Sequence, residues 1–126
     1  MTIKENANIT FSWFDAFNEH DIEKLLALYH ADADHYSPKL KVRFPETKGL
    51  IKGKDALRNW WNDSFERLPS LRYEIISLTV NKDFVLMAYK RMVNNEEDME
   101  VNEVLNISNG LIVSSAVMDS QVTGGK

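Results

Sequence analysis

Two polar residues stand close together in a stretch of the sequence that favours an extended chain. His35 and Ser37 are two positions apart, and Pro38 follows them, so a helical conformation is disfavoured at Ser37. Side chains two positions apart on a strand point to the same side. The histidine could act as a base there, and the serine hydroxyl could orient a substrate. The alternative is a hydrogen-bonded, partly exposed histidine at the start of a strand.

An acidic residue occupies a position where the pattern favours an apolar one. Glu103 alternates with three apolar residues of a predicted strand, Val101, Leu105 and Ile107. Burying a carboxylate is costly unless it is paired or neutralised. Glu103 is therefore either a functional carboxyl in an apolar pocket or the ion-pair partner of Arg91 or Lys90 on the adjacent strand.

Weaker candidates lie elsewhere in the chain. Asp119 is at a strand end, where the mouth of a pocket often lies, although a turn or tail residue is the simpler interpretation. Tyr36 and Tyr89 could donate hydrogen bonds to a ligand, but tyrosines on strands more often belong to the core. Trp60 is part of a helical apolar stripe and is either core or pocket lining.

The composition excludes several kinds of site. The chain has no cysteine, which removes disulfides, thiolate nucleophiles and cysteine-ligated metals. Its three histidines, His20, His30 and His35, lack metal-binding spacing, and no Gly-x-Ser-x-Gly motif occurs. We therefore expect neither a metal nor a cofactor.

Length, charge and hydropathy indicate the class of protein. The 126 residues suit one domain, which we place at 1–120, followed by a flexible small and polar tail at 121–126. The 15 Lys+Arg against 19 Asp+Glu argue against nucleic-acid binding. No apolar run approaches the roughly 18 residues of a membrane span. We expect a cytoplasmic protein without membrane contact.

Three helices are predicted in the first half of the chain. Ala7, Phe11, Phe14 and Phe17 share one face of the first. Asp21 is the predicted N-cap of a second helix that runs to about His30 or Ala31. The third begins near Lys54 and is ended by Pro69, and its apolar stripe consists of Leu57, Trp60, Trp61, Phe65 and Leu68.

Strands are predicted between these helices and throughout the second half. Residues 34–38 suit an edge strand, and 39–44 alternate cation with apolar residue, which also indicates a strand. Four further strands are predicted near 71–80, 84–93, 99–107 and 111–119, and Asn109-Gly110 is a strong hairpin signal between the last two. Short turns make neighbouring strands antiparallel.

The predicted strands are apolar on both faces. Leu86 and Met87, for example, point to opposite sides of the same strand. Three short helices can cover only one face of the sheet. We therefore expect a homodimer through the outer sheet face, with a monomer that has a mildly apolar outer face as the alternative.

Several ordered motifs resemble those of the nuclear transport factor 2-like superfamily. The stretch from Phe17 to Tyr29, followed by Ala31-Asp32-Ala33, resembles its N-terminal signature, and Ser37-Pro38 resembles its Asp-Pro. Gly53-Lys54-Asp55-Ala56-Leu57 resembles the start of its third helix, and Met118-Asp119 resembles the acidic residue that often closes its last strand. Within the superfamily the chain is most similar to the SnoaL-like and ketosteroid-isomerase-like small proteins.

This resemblance implies both a fold and a range of functions. The fold is α+β: a cone-shaped barrel in which a curved, mostly antiparallel sheet wraps around the three helices (cystatin-like), with a pocket at the open end. The resemblance also implies dimerisation. Isomerases, cyclases, hydrolases, dehydratases and non-catalytic binding modules share this fold.

In this chain, two of the three catalytic positions of the isomerase-like members carry a different residue type, and the third keeps its carboxyl. Their base carboxylate falls at Ser37, their first-helix tyrosine at Trp13, and their second, protonated carboxyl at Glu103. Serine is no base at neutral pH without activation, and the Trp13 indole is only a donor. A neutral carboxyl in an apolar pocket can donate to a developing oxyanion.

The sequence thus predicts a pocket for a small apolar ligand and two functions for it. The first is cofactor-free acid–base chemistry on a carbonyl-bearing or polycyclic molecule. His35 is the first choice of base, Glu103 or Asp119 the alternative base or oxyanion donor, and the residues that position the substrate are Trp13, Tyr36, Ser37, Trp60 and Tyr89. The alternative is a non-catalytic module that binds a small molecule or associates with a protein.

Overall fold

The computed structural model describes residues 2–122 as four helices and a six-stranded mixed sheet. The helices are α1 (Ile3–Glu19), α2 (Ile22–Leu26), α3 (Pro38–Arg43) and α4 (Lys54–Arg67). The strands are β1 (Tyr29–Tyr36), β2 (Leu50–Lys52), β3 (Arg72–Val80), β4 (Phe84–Met92), β5 (Met99–Ser108) and β6 (Leu111–Val122). In space the strands follow the order β2-β1-β6-β5-β4-β3. The α+β cone predicted from the sequence is confirmed, with an open rather than closed sheet.

The long first helix is fixed at both ends by local hydrogen bonds. Thr2 and Glu5 form a capping box at its start, and His20 ends it in the left-handed conformation. Its buried face carries Trp13, Phe14 and Phe17. The predicted stripe was wrong at Phe11, which is 49% exposed, because the buried face is centred one residue away from that spacing.

The second helix is shorter than predicted. Asp21 is its N-cap, as expected, but the helix ends at Leu26, and Tyr29 begins β1. The Ile112 backbone N–H donates to the Leu28 carbonyl, and β1 pairs with β6 in parallel. Although Tyr29 fits the helical spacing, the backbone here forms hydrogen bonds to the distant strand β6 in place of those that a longer α2 would form.

A helix stands where a strand was predicted over 39–44. Ser37 is the N-cap of α3 and its hydroxyl accepts a hydrogen bond from the Lys39 backbone N–H at 3.2 Å. Pro38 takes the first helical position, where its missing N–H costs nothing. Leu40 is buried while Val42 is 81% exposed, so the alternation in sequence does not correspond to two faces of a strand.

The second half forms the antiparallel meander that the sequence predicts. Asn109 and Gly110 both have positive φ, as a tight Asn-Gly hairpin turn requires. On the inner face of the sheet, β4 carries Val85, Met87, Tyr89 and Arg91, and β5 carries Val101, Glu103, Leu105 and Ile107.

The end of β6 revises the predicted domain boundary. Gln121 pairs with Glu100, and Val122 pairs with Met99, so the strand includes the first two residues of the expected tail. Residues 123–126, the remainder of that tail, lie outside the described part of the chain.

Candidate active site

A cavity of about 640 Å³ opens between the concave face of the sheet and helices α3 and α4. Its walls are largely apolar and aromatic, with a few polar side chains among them, as is usual for small-molecule sites. The aromatic side chains in the wall are Phe17, Trp60, Trp61, Tyr73 and Tyr89. Two titratable groups, His35 and Glu103, line the same cavity.

His35 lies near the end of β1 and is 4% exposed. Ser115 of β6 is its register partner, and the histidine Nδ1 is 2.7 Å from the Ser115 hydroxyl oxygen. The imidazole ring packs against Trp61, with 5.2 Å between ring centroids. Within residues 2–122 no hydrogen bond to Nε2 is found, so this is the nitrogen left for a ligand.

Glu103 lies on the inner face of β5 and is 1% exposed. Its Oε1 accepts a 2.7 Å hydrogen bond from the Tyr89 hydroxyl, and its Oε2 is 3.9 Å from His35 Nδ1. Among the described residues Oε2 has no hydrogen-bond partner. One carboxyl oxygen is therefore fixed by the protein and the other is not.

The alternative in which Glu103 pairs with a cation of the neighbouring strand is wrong. Arg91 donates to Glu96 at 3.1 Å, and Lys90 lies 3.5 Å from Glu74. The carboxyl is placed opposite Met87 rather than beside either cation.

Burial shifts the two titratable groups in opposite senses. It raises the pKa of Glu103 to about 7, because the carboxylate form loses its hydration, while the Tyr89 hydroxyl bond opposes this in part. Burial also lowers the pKa of His35 to about 4, because the imidazolium form loses its hydration. Between these values the carboxyl and the imidazole are both uncharged.

A directional chain of hydrogen bonds fixes the histidine tautomer. The Trp13 indole can only donate, and its Nε1 is 3.1 Å from the Tyr29 hydroxyl oxygen. Tyr29 then satisfies its own hydrogen by donating to Ser115 at 2.9 Å. Ser115 in turn donates to His35 Nδ1. This arrangement gives the indole hydrogen and both hydroxyl hydrogens an acceptor, and it leaves the His35 proton on Nε2.

Five predicted site residues line the cavity and three do not. His35, Glu103, Ser37, Trp60 and Tyr89 are in its wall, although the Ser37 hydroxyl also serves as the N-cap of α3. Trp13 is 1% exposed and lies behind the wall, bonded to Tyr29. The Tyr36 ring lies against Gly49, where a Cβ would be 2.6 Å from it. Asp119 is exposed and accepts a hydrogen bond from Asn102.

Sequence reasoning missed two residues that orient His35. Tyr29 fits the helical spacing of α2, which hid its place in β1. Ser115 faces inward, opposite Leu105, because a bulge between Asn106 and Ile107 changes the register of β6. A bulge reverses the parity of every residue beyond it, and nothing in the local pattern marked its position.

Residues 2–122 contain no group of three His, Asp or Glu side chains that could hold a metal ion. No helix in this part of the chain is long and apolar enough to span a bilayer.

Solved structures with this fold come from several bacteria. A SnoaL-like protein of unknown function from Burkholderia thailandensis is 22% identical, with a TM-score of 0.82 over 92% of this chain and 94% of that one. A provisionally assigned polyketide cyclase from Sinorhizobium meliloti is 18% identical, with a TM-score of 0.76 over 94% and 100% of the two chains. An uncharacterised cystatin-fold protein from Novosphingobium aromaticivorans is 17% identical, with a TM-score of 0.76 over 90% and 97%.

Sequence comparison gives the family directly. No curated protein matches the chain significantly. The family model of the SnoaL-like domain, however, matches residues 12–115, from the middle of α1 to the serine that orients His35. The superfamily resemblance noted in the sequence is confirmed by this match and by the cystatin-like fold, and the chain belongs to the SnoaL-like domain family.

Proposed function

We propose that this protein catalyses cofactor-independent proton transfer on a small, apolar, carbonyl-bearing molecule. The observation that carries the proposal is the buried pair of His35 and Glu103, whose Nδ1 and Oε2 atoms are 3.9 Å apart in the wall of one cavity. Strongly shifted acids and bases that share a cavity are typical of catalytic sites.

The two residues suit different roles. Glu103 is the base, because a pKa of about 7 gives a substantial carboxylate fraction at neutral pH and its Oε2 has no hydrogen-bond partner in residues 2–122. His35 is the donor to the carbonyl oxygen, because it is neutral and carries its proton on Nε2. The roles are therefore the reverse of the first choice from the sequence, in which His35 was the base.

The proton then moves between carbon and oxygen without a cofactor. The Glu103 carboxylate takes a proton from the carbon next to the carbonyl, and the electron pair of that C–H bond forms the enolate. The Nε2–H of His35 stabilises the developing oxyanion by hydrogen bonding. Protonated Glu103 can return its proton to a different carbon, which gives an isomerisation. Alternatively, the enolate carbon attacks a second carbonyl of the same molecule, the π bond of that carbonyl breaks, and the alkoxide formed takes the proton from Glu103, which gives a cyclisation.

The cavity walls favour an apolar ring system as the substrate. Trp60, Trp61 and Tyr89 present aromatic surface to the cavity. A volume of about 640 Å³ is in the range of drug-sized ligands.

The test uses 2-tetralone, an apolar bicyclic ketone with acidic α-hydrogens. The exchange of these hydrogens for deuterium in D₂O is followed by NMR with wild-type protein, with Glu103→Gln and with Asp119→Asn as the matched control. We expect the wild type and the Asp119 variant to accelerate exchange above the buffer rate and Glu103→Gln to lose most of that acceleration. Equal rates with and without protein would refute catalysis, and tight binding of 2-tetralone in that case would support the non-catalytic binding module.

We also propose that the protein forms a homodimer through the outer face of the sheet. Leu86, Val104 and Ala116 are register partners across three strands on that face, and Met118 beside them is 52% exposed. A partly exposed apolar row of this kind is typical of an interface. Light scattering after size exclusion should give twice the chain mass for the wild type and a shift toward the monomer for Leu86→Lys. A monomer mass for the wild type at micromolar concentration would refute the dimer.

A further inference from the structure

The mouth of the cavity is cationic although the chain as a whole carries a net charge of −4. Four cations line this end of the cavity, Lys39, Arg43, Arg67 and Arg91, together with one acid, Glu96, while the other acid in the described lining, Glu103, lies deeper beside His35. Such a local reversal of charge raises the local concentration of anions.

Ion pairs within the protein neutralise these cations only in part. Arg43 and Arg67 share the carboxylate of Asp63, each with an Nε–Oδ2 distance of 2.9 Å. Arg91 pairs with Glu96 at 3.1 Å. No ion pair to the Lys39 ammonium is found in the described chain. Four cations against two carboxylates leave a surplus of two positive charges at the mouth.

Arg91 is the buried member of this cluster, with 7% of its surface exposed. Its Nη1 donates to Glu96, and no other hydrogen bond to its guanidinium is found within residues 2–122. A buried guanidinium is costly unless its donors are satisfied. The planar fork of an arginine matches a carboxylate, which can accept two of its N–H groups together.

Lys39 lies at the start of α3, on the same rim of the cavity. Partial burial lowers the pKa of its ammonium, the positive charges of Arg91 and Arg67 lower it further, and the carboxylate of Glu96 opposes this in part. The three cations therefore repel one another, and a bound anion would relieve that repulsion.

The geometry points to a substrate that carries a carboxylate, bound between Arg91 and Lys39, while its apolar ring reaches His35 and Glu103. This inference rests on the proposed function, since it names the substrate class of the same cavity. Glu103 is opposite Met87, four residues before Arg91 on β4, so the backbone positions of the two ends are roughly 13 Å apart along the strand. The substrate's carboxylate is therefore not adjacent to the reacting carbon, because a ring system lies between the two.

A matched pair of ligands tests the inference by calorimetry at low ionic strength. 2-Naphthoate and 2-naphthamide have nearly the same size and shape, but only the first is charged. We expect the wild type to bind naphthoate about tenfold or more tightly than the amide, since a charge-assisted bond in a partly buried site contributes on that scale. The preference should fall as salt is added, because the Lys39 ammonium is only partly buried and remains open to screening.

Two substitutions on the same helix supply the control. Lys39→Met should reduce the preference several-fold, whereas Lys41→Met, which removes an exposed cation that does not line the cavity, should leave it nearly unchanged. Equal affinity for both ligands in the wild type, or an equal effect of the two substitutions, would overturn the inference. In either case exchange of the neutral 2-tetralone would still test the proposed catalysis by itself. Failure to bind either ligand would overturn the carboxylate inference as well.

Discussion

The floor and the mouth of the cavity differ in how they hold titratable groups. At the floor, His35 and Glu103 are 4% and 1% exposed and are uncharged over a range of pH. At the mouth, the Arg43 and Arg67 side chains are 41% and 38% exposed and keep their charges beside Asp63. Water screens the mouth but not the floor. Replacing a polar side chain should therefore change stability and reactivity strongly at the floor and weakly at the mouth.

The largest effect is expected in the pH dependence of catalysis at the floor. If Glu103 is the base, kcat/KM for 2-tetralone exchange should fall about tenfold per pH unit well below its pKa, and roughly 50-fold between pH 7 and pH 5, because half of the carboxyl is still ionised at pH 7. The rate should level off above about pH 7, where the carboxylate form predominates. Rates are measured with each buffer's own exchange subtracted. If His35 were the base, with its pKa of about 4, the rate would stay constant over this range.

The next effect is on stability, and its sign follows from the direction of each pKa shift. The pKa of Glu103 is raised from 4.5 to about 7, so between these values the folded state holds a proton that the unfolded state releases. Stability due to Glu103 is then present at low pH and is lost as the pH rises from 4.5 to 7. The shift corresponds to about 3 kcal/mol. The lowered pKa of His35 acts in the opposite sense, so stability due to His35 rises between pH 4 and pH 6.5.

Glu103→Gln separates these two contributions. The free energy of unfolding of the wild type, minus that of the variant, should fall by about 3 kcal/mol between pH 4.5 and pH 7. The variant alone should become more stable as the pH rises to 6.5, because the His35 contribution is then unopposed. Urea denaturation at each pH measures both curves. A difference that does not change with pH would mean that Glu103 is ionised in the folded protein throughout.

A smaller effect is expected from the bonds that orient His35. Ser115→Ala removes the hydroxyl between Tyr29 and His35 and leaves both buried groups without that partner. The cost should be about 2 kcal/mol of unfolding free energy. Ser108→Ala, at an exposed serine of β5, is the matched control and should cost almost nothing. Equal losses of unfolding free energy in the two variants would show that the hydrogen-bond chain contributes little to stability.

The smallest effect is expected at the mouth. Asp63→Asn removes both ion pairs to Arg43 and Arg67, yet the side chains are solvated, so the loss should be below about 1 kcal/mol and should shrink further in high salt. The same substitution should strengthen naphthoate binding slightly, since it increases the positive surplus. A loss of stability as large as that of Ser115→Ala would remove the distinction between floor and mouth.

The contrast between the floor and the mouth also explains which site residues could be predicted from the sequence. Glu103 could be found because it interrupts an apolar alternation, and that alternation survives in β5. His35 and Ser37 could be found from their spacing before Pro38. Asp119 was placed near the pocket by a family pattern, but its side chain is exposed at the outer part of β6 and bonds Asn102. Arg91 was considered only as a partner for Glu103, because its place at the mouth depends on the curvature of the sheet and the position of α3.

The sequence by itself determined the elements whose signals are local. The α1 and α4 helices, the β3–β6 meander and the Asn109-Gly110 turn all follow from periodicity, capping and turn residues, which act over a few positions. Only the tertiary structure decided that 38–43 is a helix, that Tyr29 begins a strand and that Ser115 faces His35. It also decided the raised pKa of Glu103, because the energy of a charge depends on the groups that exclude water around it, and these come from distant parts of the chain.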